Sequence, residues 1–131
     1  MAAVDTNVLV RLLVADDAKQ LALAKQALHD HGPVFVTHIA LIETVWVLAH
    51  TYKIARRDLE EIIERLLLGA EFVLQGAEEV DRALAAFRRS RVDFADCLLF
   101  ENAQSAGQLP VLTFDKVLGR LRGVQVLTSH H

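Results

Sequence analysis

The sequence predicts an α/β fold in which helices cover a parallel sheet. Segments of strand length alternate along the chain with segments whose apolar residues recur at helical spacing. The strand segments are also continuous apolar runs rather than alternations, as expected for strands buried on both faces. With 131 residues and no repeat, linker or low-complexity stretch, one domain over residues 1–131 is expected. His130 and His131 are set aside as a tag remnant.

Taken in order, Ala2–Val4 reads as a short strand ending at Asp5, and Thr6-Asn7 leads into the apolar stretch Val8–Val14. Asp16-Asp17 is a helix-start signal. Leu21, Ala24 and Leu28 follow at helical spacing until Gly32-Pro33 stops them. Val34–Thr37 is strand-like, and Ile39 to Ala49 is apolar enough for a mostly buried helix. Leu59, Ile62, Ile63, Leu66 and Leu67 form an i, i+3, i+4, i+7, i+8 stripe closed by Gly69. Phe72–Leu74 is a strand, and Val80, Ala83, Leu84 and Phe87 mark the next helix. Another helix runs over 93–106 with Gly107 at its C-terminal cap. Val111–Phe114 and Val124–Leu127 are the last strands, joined through a helical turn at Lys116–Leu121.

Apolar residues make up 53% and charged residues 24%, which fits a soluble, packed globule. No apolar run reaches the ~18–20 residues of a membrane span, and no basic stretch precedes an apolar secretory core. The single cysteine, Cys97, forms no internal disulfide and reads as a small core residue. A cytoplasmic location without membrane attachment is expected. Net charge is −3, unevenly spread: residues 56–81 carry three basic and eight acidic side chains, residues 82–131 seven basic and four acidic. If a cation neutralises the acids of that last part, it becomes positive enough to attract a phosphate backbone.

Four carboxylates stand in otherwise apolar sequence: Asp5, Glu43, Asp96 and Asp115. Such segments usually enter a core, where an unpaired carboxylate costs several kcal/mol. No Lys or Arg lies within three residues of Glu43 or Asp96. A divalent metal held by oxygen ligands is the simplest compensation. Asp5 and Asp115 follow strands, Glu43 lies in the helix after Val34–Thr37, and Asp96 lies one i, i+3 step from Asp93. Ligands of open α/β sheets bind beyond the carboxyl ends of strands, so this topology can bring the acids to one edge. Oxygen donors suit Mg²⁺ or Mn²⁺, whereas the histidine pair His29 and His31 has poor spacing for zinc.

Each acid also has a purely structural reading. Asp5 can be a strand-end turn former, Asp93 and Asp96 helix-start acids, and Asp115 a cap. Glu43, mid-helix among Ile, Leu, Val and Trp, has the fewest such uses. Trp46 reads as core or as a subunit contact.

The segments Asp5-Thr6-Asn7-Val8-Leu9-Val10, a lone Glu43 in an apolar helix, Asp93-Phe94-Ala95-Asp96-Cys97-Leu98 and Thr113-Phe114-Asp115 resemble the PIN-domain ribonucleases. The resemblance is to the VapC toxins of toxin–antitoxin pairs and spans residues 2–127. It implies a three-layer α/β/α sandwich around a parallel sheet of about five strands. It also implies an Mg²⁺- or Mn²⁺-dependent endoribonuclease in which metal-activated water leaves 5′-phosphate and 3′-hydroxyl ends. By position, Asp5, Glu43, Asp96 and Asp115 match the family's acidic quartet. Asp5, Asp96 and Asp115 would be metal ligands, and Glu43 would act through water or a second metal. Asp93 matches a further acid, and Thr6, Asn7 and Thr113 match supporting positions. A homodimer silenced by a cognate antitoxin is implied as well. His38 departs from the small polar residue or proline expected there.

Two other readings compete. An Asp-based phosphatase wants a second Asp where Asn7 stands, and a phosphoacceptor domain wants an Asp after its third strand, where Gln75-Gly76 stands. A protein-binding module of the same fold with negligible hydrolysis is the other.

Overall fold

The computed structural model describes residues 1–129; His130 and His131 lie outside the described residues. The chain divides into two compact units, Met1–Ala77 and Glu78–His131.

In the first unit, α1 (Thr6–Leu13) begins where the Asp5 carboxylate accepts a hydrogen bond from the Val8 amide at 2.9 Å. That bond satisfies one of the orphan donors of the first turn. Asp17 caps α2 (Ala18–His31) in the same way, and Gly32 ends it at φ 72°. Thr37 caps α3 (His38–His50) between β1 (Val34–Val36) and α4 (Arg56–Leu68), and β2 (Phe72–Leu74) closes the unit. β1 and β2 pair in parallel, Val34 against Phe72 and Val36 against Leu74. The predicted first strand shrinks to a single parallel bridge, Ala3 to Phe35, held by the Phe35 amide donating to Ala2 and the Val4 amide donating to Phe35. It is short because α1 starts at once after Val4 and takes over the backbone bonding.

α1 packs against α2 and α3, and α4 against α3 and β2. Leu9, Val36, Leu41, Leu48, Ile63 and Leu66 are buried, each worth about 1.5–3 kcal/mol on transfer from water. Arg11 pairs with Asp16, and the Tyr52 hydroxyl donates to Asp16 at 2.7 Å and accepts from Arg11 at 3.1 Å. The end of α1, the start of α2 and the loop after α3 are thereby tied. The Tyr52 hydroxyl and then Arg11 hold the Asp16 carboxyl below its ordinary range.

The second unit holds nearly all of α5 (Ala77–Arg89), then α6 (Phe94–Ser105), β3 (Val111–Thr113), a 3-10 turn (Leu118–Arg120) and β4 (Val124–Val126). β3 and β4 pair in parallel, Val111 against Val124 and Thr113 against Val126. Val80, Leu84, Phe87, Phe94, Cys97 and Leu98 form its core, with Phe87 and Phe94 edge to face at 5.8 Å. Gly123 has φ 97°, and a Cβ there would stand 3.1 Å from the Phe100 ring, so both backbone and space require glycine. Glu101 is buried on α6 and bonded by Arg82 of α5, Nε to Oε2 at 3.0 Å.

The expected α/β class is present, and every strand pairing among the described residues is parallel. Among the described residues the strands pair as two two-stranded sheets, one in each unit. Among the described residues, no helix is long and apolar enough to cross a membrane.

Candidate active site

Asp5, Glu43, Asp93 and Asp115 are exposed, and Asp96 is half-buried. For Asp5, Glu43 and Asp115 this corrects the expectation that apolar neighbours would draw the acids inward; Asp96 is drawn in part way. In α3 the reason is helical spacing. Glu43 shares a face with Ile39, Trp46 and His50, while Ala40, Leu41, Thr44, Val45 and Leu48 take the inner face. Ile39 and Trp46 are 71% and 58% exposed, so the apolar residues along the sequence near Glu43 do not enclose it. Trp46 is not core; it stacks on His50 at 4.4 Å.

Within the first unit, Asp5 and Glu43 line one shallow cavity of about 390 Å³. Thr6, Thr37 and Ile39 complete much of its wall. Asn7 lies on a different groove, between Val8 of α1 and Leu23 of α2. Thr37 was not singled out from sequence, although a threonine directly before an apolar helix is a capping signal; its hydroxyl accepts from the Ala40 amide at 3.1 Å. At His38, the backbone amide donates to the Gln75 side chain at 2.7 Å, tying the start of α3 to the segment after β2.

Within the second unit, Asp93 precedes α6 and Asp96 occupies its first turn. Asp115 follows β3. Its amide donates to the Thr113 hydroxyl at 3.0 Å, and its carboxylate accepts from the Val117 amide at 2.7 Å. The Thr113 hydroxyl thus holds the backbone at Asp115, and the Asp115 carboxylate accepts from the Val117 and Leu118 amides at the entry to the 3-10 turn. Burial raises the Asp96 carboxyl above its ordinary value, and the negative charges of Asp93 and then Asp115 raise it further. Carboxylate oxygens are the donor type that a hard divalent cation prefers. Among the described residues, no three His, Cys, Asp or Glu side chains form a group able to hold a metal ion. The fit is therefore one of donor chemistry and local charge. Cys97 is buried, its thiol directed at the Val92 carbonyl, and His29 and His31 are on the surface.

A family model described as the PIN domain matches residues 2–124. The chain belongs to the PIN domain family. This PIN domain is also similar to a protein named VapC ribonuclease from Aquifex aeolicus (strain VF5). The two are 27% identical over 124 residues, 92% of each chain. No solved structure gives a significant match to this PIN domain.

Proposed function

We propose that this PIN domain is a metal-dependent endoribonuclease, the toxin of a type II toxin–antitoxin pair, acting in the cytoplasm as a homodimer controlled by a cognate antitoxin. The observation that carries this is the half-buried Asp96, whose carboxyl is raised by burial and by Asp93 and Asp115, in a chain of this family. The similarity to a VapC ribonuclease along nearly the whole chain supports it. The family's sandwich around a sheet of about five parallel strands is part of the proposal, supported by the parallel pairings within each unit.

Asp5, Asp96 and Asp115 would hold Mg²⁺ or Mn²⁺, with Glu43 acting through water. A bound ion of this kind supplies Lewis acidity and lowers the pKa of water, which makes phosphodiester hydrolysis feasible at neutral pH. The residues' own parts follow from their surroundings. Asp96, raised by burial and by its acidic neighbours, would gain from a nearby cation. Thr113 fixes the backbone of Asp115, and Asp115 is further oriented by the Val117 and Leu118 amides. Thr37 and Thr6 shape the cavity into which Asp5 and Glu43 face. Hydrolysis would leave 5′-phosphate and 3′-hydroxyl ends.

The test is cleavage of a total RNA pool with Mg²⁺ or Mn²⁺ against EDTA, for the wild type, Asp5→Asn and Asp96→Asn. Metal-dependent cutting lost in both folded variants supports the assignment. Full cutting by either variant refutes the role given to that acid, and no cutting by the wild type favours the protein-binding module.

A further inference from the structure

Four arginines of the second unit, Arg88, Arg89, Arg91 and Arg120, line one open cleft of about 560 Å³, walled also by Val117 and Leu121. Among the described residues, no carboxylate lines it. All four side chains are exposed. The guanidinium groups of Arg89, Arg91 and Arg120 on one cleft repel one another, and an anion relieves that repulsion. The planar, forked donors of arginine match phosphate oxygens two at a time.

The cleft is built from fixed backbone. Ser90 donates to the Ala86 carbonyl at 2.7 Å and accepts from the Val92 amide at 3.2 Å, which shapes the turn carrying Arg89 and Arg91. Leu118 is buried, and Gly119 lies so close to Val126 that a Cβ would stand 2.1 Å from its Cγ2. Arg120 therefore projects from a turn that cannot shift freely. A second cavity of about 390 Å³, lined by Arg122 and by the Arg82–Glu101 pair, shares Arg89 and Leu121 with the first. The two adjoin, which suits an extended polyanion better than a single phosphate.

Both walls of the cleft run directly into the acids. Arg91 is two residues before Asp93 and five before Asp96. Val117, in the other wall, donates its amide to the Asp115 carboxylate. A strand gripped by the arginines is thus held by the same two backbone segments that carry Asp93, Asp96 and Asp115.

We propose that this arginine cleft binds consecutive backbone phosphates of the RNA strand and so positions it for cleavage. The proposal rests on the nuclease reading for the identity of the polyanion. It names Arg89, Arg91 and Arg120 as RNA-positioning residues.

The probe is a fluorescein-labelled oligouridine, followed by anisotropy in EDTA with full-length protein over a range of salt. For single-stranded nucleic acid, each phosphate contact contributes about 0.7 to the slope of log K against log salt. Replacing Arg89, Arg91 and Arg120 with Gln should lower that slope by about 2 and weaken binding about a hundredfold at 0.1 M salt. Arg120→Gln alone should lower it by about 0.7, which keeps the test usable if the triple variant does not fold. An unchanged slope in a folded variant, or no binding by the wild type at low salt, overturns the proposal. So does loss of oligoglutamate binding with oligouridine binding retained, which would give the cleft to an acidic protein segment. The two proposals fail separately: without nuclease activity the wild type still shows the salt slope, whereas without the cleft's role the slope is unchanged and cleavage persists.

Discussion

Replacing Arg82 with Met should cost this fold about 3 kcal/mol, although Arg82 is itself nearly half exposed. The cost lies in the partner. Glu101 is 5% exposed on α6, and Arg82 reaches it from α5 at 3.0 Å while also donating to the Ser105 hydroxyl at 3.2 Å. Truncating one partner of a buried pair leaves the other charge unmatched, at about 3–5 kcal/mol. Water around the guanidinium screens the pair and places the loss at the low end of that range. For a chain of this length, about 3 kcal/mol corresponds to a fall of roughly 10 °C in Tm. Urea denaturation followed by circular dichroism measures the difference directly. Arg82→Met with Glu101→Leu removes both charges and should recover most of the loss, because a well-packed apolar pair is often as stable as a buried ion pair. A loss below about 1 kcal/mol in the single variant, or a double variant as unstable as the single, would refute the reasoning.

Three further outcomes are expected. Because the folded protein raises the Asp96 carboxyl above its ordinary value, the native state binds more protons than the unfolded state between those two values. Metal-free stability should therefore fall as pH rises through that window, and Asp96→Asn should remove this slope and raise Tm at neutral pH; a lowered Tm would count against it. Asp5→Asn keeps an oxygen for the Val8 amide and should hold stability within a few tenths of a kcal/mol, whereas Asp5→Ala should lose about 1 kcal/mol in urea titration. If both lose cleavage alike, the carboxylate's chemistry rather than its cap accounts for the loss. Finally, the Thr44 hydroxyl is fully buried in α3 and has no hydrogen-bond partner among the described residues. Thr44→Val should stabilise the protein by about 1 kcal/mol, and a destabilisation would mean that the hydroxyl has a partner.

The elements with a clear local signal were legible in sequence. Phe72–Leu74 is a strand with the expected limits, and the Leu59–Leu67 stripe lies on α4. The Asp17 and Gly32 signals bound α2. The first strand was less legible because its pairing depends on Phe35, thirty-two residues beyond Ala3, and because the cap at Asp5 favours helix immediately. Leu112 and Phe114, expected in a buried strand, are exposed. The family was legible from the order of the acids and their flanking residues. The burial of the acids was not, since neighbours in a helix diverge by about 100° and only i, i+3 and i+4 residues share a face. Nothing in the sequence separates Arg89, Arg91 and Arg120 from the other exposed bases, because their gathering depends on how the 3-10 turn lies against the end of α5.

The stacking of Trp46 on His50 has an optical consequence. The chain has one tryptophan, so its indole emission comes from a single place, the outer face of α3 one turn beyond Glu43. At 58% exposure the indole reports a wet environment. Whatever covers that face should shift the emission to the blue, and whatever parts the two rings should change its intensity. The protein thus carries a built-in fluorophore beside one of its acids, readable without a label.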